Sequence, residues 1–118
     1  MLNYFMHEMS LAINIVEIAC QTAKKNSAGR ITSIEVEVGK LAGVLEDSLS
    51  FCFQAARHKT LAENAKLEII SIPGKGYCKT CNYTFETDTF FTLCPKCQGL
   101  AVDILQGKDL KIKSIDVD

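Results

Sequence analysis

The fold of this chain is decided by residues 78–97, which read CKTCNYTFETDTFFTLCPKC. Two Cys-x-x-Cys motifs, Cys78/Cys81 and Cys94/Cys97, stand at the ends of this stretch with twelve residues between them. A tight turn between two cysteines places both sulfur atoms on one side of a metal ion, and two such turns complete a tetrahedral shell. Because four thiolates leave no open position for water or a substrate, we predict a structural Zn2+ site rather than a catalytic one.

The same cysteines fit two other kinds of site. A redox-active dithiol uses one Cys-x-x-Cys motif, whereas two matched motifs favour a metal. Four thiolates also hold iron–sulfur clusters, so iron is an alternative to zinc at this point. We do not expect nucleic acid as a partner, because the lysines and acidic residues of this region cancel and a zinc ion with four thiolates carries about −2.

The residues between the two motifs predict a ribbon. Tyr83 and Phe85 alternate with polar residues, which is typical of a strand with one wet face. Together with Phe90, Phe91 and Leu93 they are expected to form the two arms of the ribbon and a small apolar cover beside the metal.

The composition and the first residues indicate a cytoplasmic protein. Residues 1–8, MLNYFMHE, have neither a basic segment nor a cleavage site of small residues, so they do not predict a secretory signal. No stretch approaches the roughly 18 apolar residues that cross a membrane. In the reducing cytoplasm the six cysteines stay as thiols, which favours a metal over disulfides. The formal net charge of −1 provides no attraction to nucleic acid or to an anionic membrane.

The sequence before the cysteine motifs predicts two helices. Apolar residues recur at spacings of three and four over residues 10–25, where Ser10 is a suitable N-cap. The same spacing recurs over residues 46–59, with acidic residues at the start and basic residues at the end, as the helix dipole favours. Cys20 and Cys52 fall on or beside the apolar sides of these helices and are predicted to be core residues.

Strands are predicted on both sides of the cysteine module. Alternation of apolar and polar residues predicts them over residues 34–38, 66–72 and 109–117. We therefore expect an α+β fold with two helices on a small three-stranded sheet and an inserted zinc ribbon with four cysteines. The α+β domain is assigned to residues 1–73 plus 107–118, and the ribbon to residues 74–106.

A second candidate metal site lies at Met6, His7 and Glu8, before the first predicted helix. By residue chemistry alone, a His-Glu pair at such a place is more often an exposed segment without a function. The order of motifs along the whole chain gives this pair more weight. That order resembles the hydrogenase nickel-incorporation proteins of the HypA family, in MHEMSLA at 6–12, EVEVG at 35–39, LAGV at 41–44, SLSF at 48–51, LEI at 67–69, the two cysteine motifs and GKDLKI at 107–112.

The resemblance implies a nickel metallochaperone with the α+β fold expected above. It implies that Met6, His7 and Glu8 carry Ni2+ as transferable cargo. A partner nickel-accessory GTPase would then help to pass the ion to the large subunit of [NiFe]-hydrogenase, with urease and its accessory proteins as further partners. Whether the chain is a monomer or a homodimer stays open.

This sequence departs from the family pattern at its start, because five residues precede Met6. A histidine directly after a free α-amine forms adjoining chelate rings through the amine, its own backbone nitrogen and its imidazole. Here the nitrogen of Met6 is an amide, whose deprotonation is costlier, so we expect weaker nickel binding if the extension is real. Three explanations compete: translation from Met6, trimming of the extension, or a site formed by His7, Glu8 and either Glu46 or Asp47. We favour the first, because Met6 is a ready initiator.

We do not expect an enzyme. The sequence has no Ser/His/Asp set, no phosphate-binding glycine loop and no open-sided metal triad. Any dependence on a nucleotide must therefore come from a partner. The alternative to a nickel carrier is a protein–protein adaptor that docks through its zinc ribbon and has no transferable metal.

Overall fold

The computed structural model describes residues 2–118, with side chains described from His7 onward. Within these residues it has two helices, α1 (Leu2–Lys25) and α2 (Glu46–Ala56). The strands are β1 (Ile31–Gly39), β2 (Lys66–Ile72), β3 (Gly74–Cys78), β4 (Tyr83–Thr87), β5 (Val102–Gln106) and β6 (Leu110–Val117). They form two three-stranded sheets, in the orders β2-β1-β6 and β4-β3-β5. The predicted α+β class, with two helices and a three-stranded sheet, is confirmed.

The chain divides into two compact units. The first consists of Met1–Val36, Val44–Ile70 and Lys111–Asp118, and the second of Glu37–Gly43 and Ser71–Leu110. The second unit thus contains both cysteine motifs and, in addition, the segment that follows the middle of β1.

The core of the first unit consists mainly of apolar residues of α1, of α2 and of one face of β1, where Ile34 and Val36 are buried. Helix α1 packs against α2, and full burial of each large apolar side chain contributes about 1.5–3 kcal/mol. The other face of the sheet is polar. Ser33 Oγ donates to Asp116 at 2.7 Å, and Ser114 Oγ donates to Glu35 at 2.6 Å. The buried core residues are Ala12, Ile15, Val16, Ala19, Ala23, Ile31, Ile34, Val36, Leu49, Cys52, Phe53, Ala62 and Ala65.

Both helices differ from their predicted limits. Helix α1 begins at Leu2, not after Ser10, and Ser10 lies exposed within it. No glycine or proline interrupts residues 2–25, so no residue stops the helix from continuing through Ser10 despite the preference of serine for an N-cap position. Helix α2 ends at Ala56 rather than at residue 59. Residues 57–59 form a turn instead, which ends with Lys59 in the left-handed region at a φ of +60°.

No helix formed by residues 2–118 is both long enough and apolar enough to cross a lipid bilayer.

Backbone segments of the second unit approach each other closely at Gly39 and Gly107. The N–H of Gly39 donates to the Asp109 carbonyl at 2.9 Å, and the N–H of Leu41 donates to the Gly107 carbonyl at 2.8 Å. Gly107 has a φ of +95°, a conformation that favours glycine. A Cβ atom on Gly39 would overlap the Gly107 carbonyl group. Both positions therefore require glycine.

Gly39→Ala is expected to lower the free energy of unfolding by about 2 kcal/mol, because the backbone of Gly107 must move to admit a methyl group. Chemical denaturation measures this change. Gly29→Ala is the matched control, since nothing lies within 4 Å of its added Cβ, and its effect should stay within about 0.5 kcal/mol. Equal stability of the two variants would contradict the close approach described here.

Candidate metal centre

The first cysteine motif forms the turn of a β-hairpin. Cys78 is the last residue of β3 and pairs with Tyr83, the first residue of β4. On the other side of β3, Cys78 pairs with Val102 of β5. Lys79 N–H donates to the Ala101 carbonyl at 2.9 Å, which holds the chain after the second motif beside the first. The hairpin and β5 therefore bring the two motifs together.

The two motifs share a local geometry. The residue after each second cysteine is in the left-handed conformation, with φ of +53° at Asn82 and +58° at Gln98. Each motif also points a backbone N–H at its first sulfur. Cys81 N–H lies 3.4 Å from Cys78 Sγ, and Lys96 N–H lies 3.4 Å from Cys94 Sγ. At Cys94, such donors stabilise the thiolate, which is the form that binds metals.

The four sulfur atoms are arranged as a metal-binding group. All of them lie within 4.8 Å of one another, and Cys78 Sγ lies 3.7 Å from Cys97 Sγ. In a tetrahedral site with metal–sulfur bonds of about 2.3 Å, neighbouring sulfurs are about 3.8 Å apart. The donor set and its spacing therefore fit a four-coordinate ion. Cys78 and Cys94 are buried, whereas Cys97 is exposed.

Hydrogen bonding and burial change the acidity of two of these thiols. A side-chain hydrogen bond with Cys97, with burial as the next cause, raises the pKa of Cys81 to about 12. Burial also acts to raise the pKa of Cys94, but the backbone N–H groups of Cys97 and Lys96 outweigh it and lower this pKa to about 7. A divalent metal must displace the protons that these sulfurs hold, so higher pH favours metal binding.

The predicted second arm of the ribbon is wrong. Tyr83 and Phe85 lie on β4, with ring centroids 6.0 Å apart. Residues 88–93, in contrast, form no strand, and Phe91 is 99% exposed. The reason is that β3 takes its second partner from β5, which follows the second cysteine motif. The segment between the motifs is therefore left outside the sheet.

The structure places His7 and Glu8 in α1 with opposite environments. The His7 side chain is 49% exposed, whereas that of Glu8 is fully buried. Glu8 Oε2 accepts a hydrogen bond from the Leu45 N–H at 3.0 Å and lies 3.7 Å from His7 Nδ1. The third residue predicted here, Met6, has a side chain outside the described ones. Glu46 and Asp47, the alternative ligands, lie in the first turn of α2.

Comparison with known proteins gives a full-length match. The sequence model of the HypA family, described as hydrogenase/urease nickel incorporation, metallochaperone, matches residues 6–117. The chain belongs to the HypA family. The match begins at Met6, so His7 and Glu8 lie within the family region and the first five residues lie before it.

Curated relatives and solved structures of the HypA family agree with this assignment. The hydrogenase maturation factor HypA of Rhizobium leguminosarum bv. viciae is 43% identical over 112 residues, covering 95% of this chain and 99% of the relative. That of Chlorobium luteolum is 42% identical over 113 residues, covering 96% and 97%. The solution structure of the Ni metallochaperone HypA from Helicobacter pylori has a TM-score of 0.68 at 25% identity, covering 93% of this chain and 96% of that one.

The sequence of this HypA-family chain does not predict that Leu45 and Cys52 are neighbours of Glu8. The backbone N–H of Leu45 binds Glu8 although the leucine side chain carries no polar group. Cys52 of α2 is buried, and burial raises the pKa of its thiol, with the negative charge of Glu8 as a further cause. The one available signal was the lack of a good N-cap residue before α2, since leucine is among the poorest.

Proposed function

We propose that this chain is a nickel metallochaperone that binds Ni2+ at Met6, His7 and Glu8 and delivers it during [NiFe]-hydrogenase maturation. The observation that carries the proposal is the half-exposed imidazole of His7 beside the carboxylate of Glu8, inside a region that matches a nickel-incorporation family. An exposed imidazole on the first part of a helix is accessible both to a metal donor and to a recipient. Such a site suits delivery of an ion rather than storage.

The four-cysteine group is proposed to hold zinc as a resident ion. Cys78, Cys81, Cys94 and Cys97 offer four sulfur donors at a spacing that fits a tetrahedral ion. A zinc ion there would link the β3–β4 hairpin to the chain before β5, and so stabilise the second unit. Since four thiolates fill its shell, we assign this zinc to structure and the nickel to function.

The partners follow from what this chain lacks and from the recipients of nickel. The sequence has no phosphate-binding glycine loop, so we propose that a nickel-accessory GTPase supplies any nucleotide hydrolysis. The recipients would be the large subunit of [NiFe]-hydrogenase and, through its accessory proteins, urease. We propose that nickel delivery takes place in the cytoplasm. A homodimer is proposed as one form of the chaperone.

The chelate that a histidine forms with its own backbone nitrogen conflicts with the helical state of His7. Helix α1 begins at Leu2, and in an α-helix the N–H of residue 7 bonds the carbonyl of residue 3. Binding through that nitrogen requires the first turns of α1 to open. A chain that starts at Met6 has no residue 3, and it gains a free amine next to His7.

Nickel titration of the chain from Met1 and of the same chain from Met6 tests this chemistry. The shorter chain is expected to bind Ni2+ at least about tenfold more tightly, equal to about 1.4 kcal/mol, and to show the absorption of a square-planar ion. The chain from Met1 is the control for the zinc content, which should be equal in both. Equal nickel affinities and equal spectra would refute the amine as a ligand.

A second function, a protein–protein adaptor without transferable metal, is favoured by apolar side chains that the second unit leaves in solvent. Phe91 is 99% exposed and Leu100 is 83% exposed. Metal analysis of the purified protein, with and without added nickel, separates the two functions. The chaperone binds nickel in addition to its zinc, whereas the adaptor retains zinc alone.

A further inference from the structure

Glu8 is an unusual residue for a proposed nickel site because its carboxylate is buried. Among the side chains that the structure describes, Glu8 is the one Asp, Glu, His, Lys or Arg side chain that is buried, and it has no exposed surface. Burying a carboxylate is costly unless hydrogen bonds or an opposite charge compensate for lost hydration. One oxygen, Oε2, accepts the Leu45 N–H, whereas Oε1 has no hydrogen-bond partner among the described residues. The groups that surround the Glu8 carboxylate therefore indicate its role.

The Leu45 N–H lies at the start of α2. Leu45 is the N-cap residue, with extended backbone and no side-chain cap. Its carbonyl accepts the first hydrogen bond of the helix, from the Leu49 N–H at 2.9 Å. Helix N-termini favour negative charge, because their first N–H groups lack partners and the helix dipole is positive there. The carboxylate of Glu8 thus accepts, from α1, the N–H of the N-cap residue, as the Glu side chain of a capping box does from within its own helix.

The same oxygen also faces His7. Glu8 Oε2 lies 3.7 Å from His7 Nδ1, within reach of an ion pair when the imidazole is protonated and longer than a hydrogen bond. One carboxylate oxygen therefore faces both the imidazole and the start of α2. A displacement of the Glu8 carboxylate would therefore change both its hydrogen bond to the Leu45 N–H and its distance to His7 Nδ1.

We propose that Glu8, within the Met6–Glu8 segment, is a positioning residue: its carboxylate fixes the start of α2 through the Leu45 N–H and orients the imidazole of His7. This refines the function proposed above, which names Glu8 among the nickel-binding residues, because it assigns the Glu8 carboxylate to positioning rather than to binding Ni2+. The part of this inference that concerns nickel rests on the proposed function. The part that concerns α2 does not need nickel at all. This separation makes the inference testable, because a carboxylate that served only as a nickel ligand would have no effect on α2 in the nickel-free protein.

The test measures amide hydrogen exchange in the zinc-loaded, nickel-free full chain for the wild type, Glu8→Ala and Glu8→Gln. Exchange of the Leu45 and Leu49 amides is compared with that of Arg57, whose N–H bonds the Phe53 carbonyl at the other end of α2. Glu8→Ala should raise the ratio of Leu49 to Arg57 exchange by about tenfold, the usual effect of a lost cap. Glu8→Gln keeps an oxygen acceptor and should raise it by less than about threefold.

Nickel titration of the same proteins gives the second readout. Glu8→Gln should bind Ni2+ within about threefold of the wild type, and Glu8→Ala should bind it much more weakly. Glu17→Ala removes an exposed carboxylate of α1 and is the matched control for both measurements.

Either of two results would overturn the inference: unchanged exchange at Leu45 and Leu49 in Glu8→Ala, or a loss of nickel affinity beyond about threefold in Glu8→Gln. If Glu8→Ala does not fold, Glu8→Gln alone decides between positioning and ligation. If the wild type binds no nickel, the proposed function fails, and the exchange data still decide the role of Glu8 at α2.

Discussion

Replacing Cys78 with serine is expected to release the zinc proposed for the second unit and to unfold that unit. Cys78 is buried, ends β3 and pairs with residues of both β4 and β5. Its sulfur lies 3.7 Å from that of Cys97, so its loss opens the four-sulfur group. Structural zinc contributes about 10–16 kcal/mol to the folding of small domains, far more than the apolar contacts of so short a sheet.

After dialysis against a weak chelator, elemental analysis should therefore find less than about one tenth as much zinc in the variant as in the wild type. Backbone NMR should show collapsed amide dispersion for residues 74–106. Cys20→Ser is the matched control, because Cys20 is a half-buried thiol of α1 that lies outside the group. Full zinc in Cys78→Ser, or equal loss in Cys20→Ser, would show that these four sulfurs do not hold the ion.

The metal-binding group was predictable because each half of it is local. Every Cys-x-x-Cys motif closes its own turn, with a left-handed residue directly after the second cysteine. The β3–β4 hairpin holds the first of these turns, and pairing of β3 with β5 brings the second beside it. The strand that completes the sheet was not predictable in the same way. Pairing of β3 with β5 joins Cys78 to Val102 across the whole second motif, and no local pattern specifies so distant a partner.

Exposure of the residues between the motifs also escaped the sequence pattern. Phe90, Phe91 and Leu93 are apolar, and apolar composition predicts burial only where a sheet or helix is available to cover the side chains. β5 occupies the side of β3 that β4 leaves free, so the segment between the motifs cannot add a strand there, and Phe91 is 99% exposed. The sequence predicts the apolar character of this segment, and the topology determines that it faces solvent.

The burial of Glu8 is the largest difference between sequence and structure. Residues 6–8 by themselves indicate an exposed segment before a helix. Because α1 extends to Leu2, Glu8 instead lies within the helix, at a position that faces α2. Its partner is the backbone N–H of Leu45. Every residue except proline carries such a group, so the residue type at position 45 does not predict the contact.

His7→Ala is expected to weaken nickel binding by more than about 100-fold while leaving the fold and the zinc content unchanged. The imidazole is the one strong nitrogen donor among the side chains of Met6, His7 and Glu8, and nickel prefers imidazole to carboxylate or thioether. Its side chain is 49% exposed and contributes little to the core, so the free energy of unfolding should change by less than about 0.5 kcal/mol. Competition titration with a coloured nickel chelator and chemical denaturation measure the two quantities.

His58→Ala is the matched control, because this chain has two histidines and His58 lies exposed beside Glu63, with 3.8 Å between Nδ1 and Oε2. A histidine beside a carboxylate therefore occurs twice in the first unit, and only one of the pairs lies at the start of the family match. If exposed histidines in general bound nickel, His7→Ala and His58→Ala would lower the nickel affinity to a similar extent. Loss in His7→Ala alone assigns the ion to the Met6–Glu8 segment, and unchanged binding in His7→Ala would leave the adaptor as the function that the second unit supports.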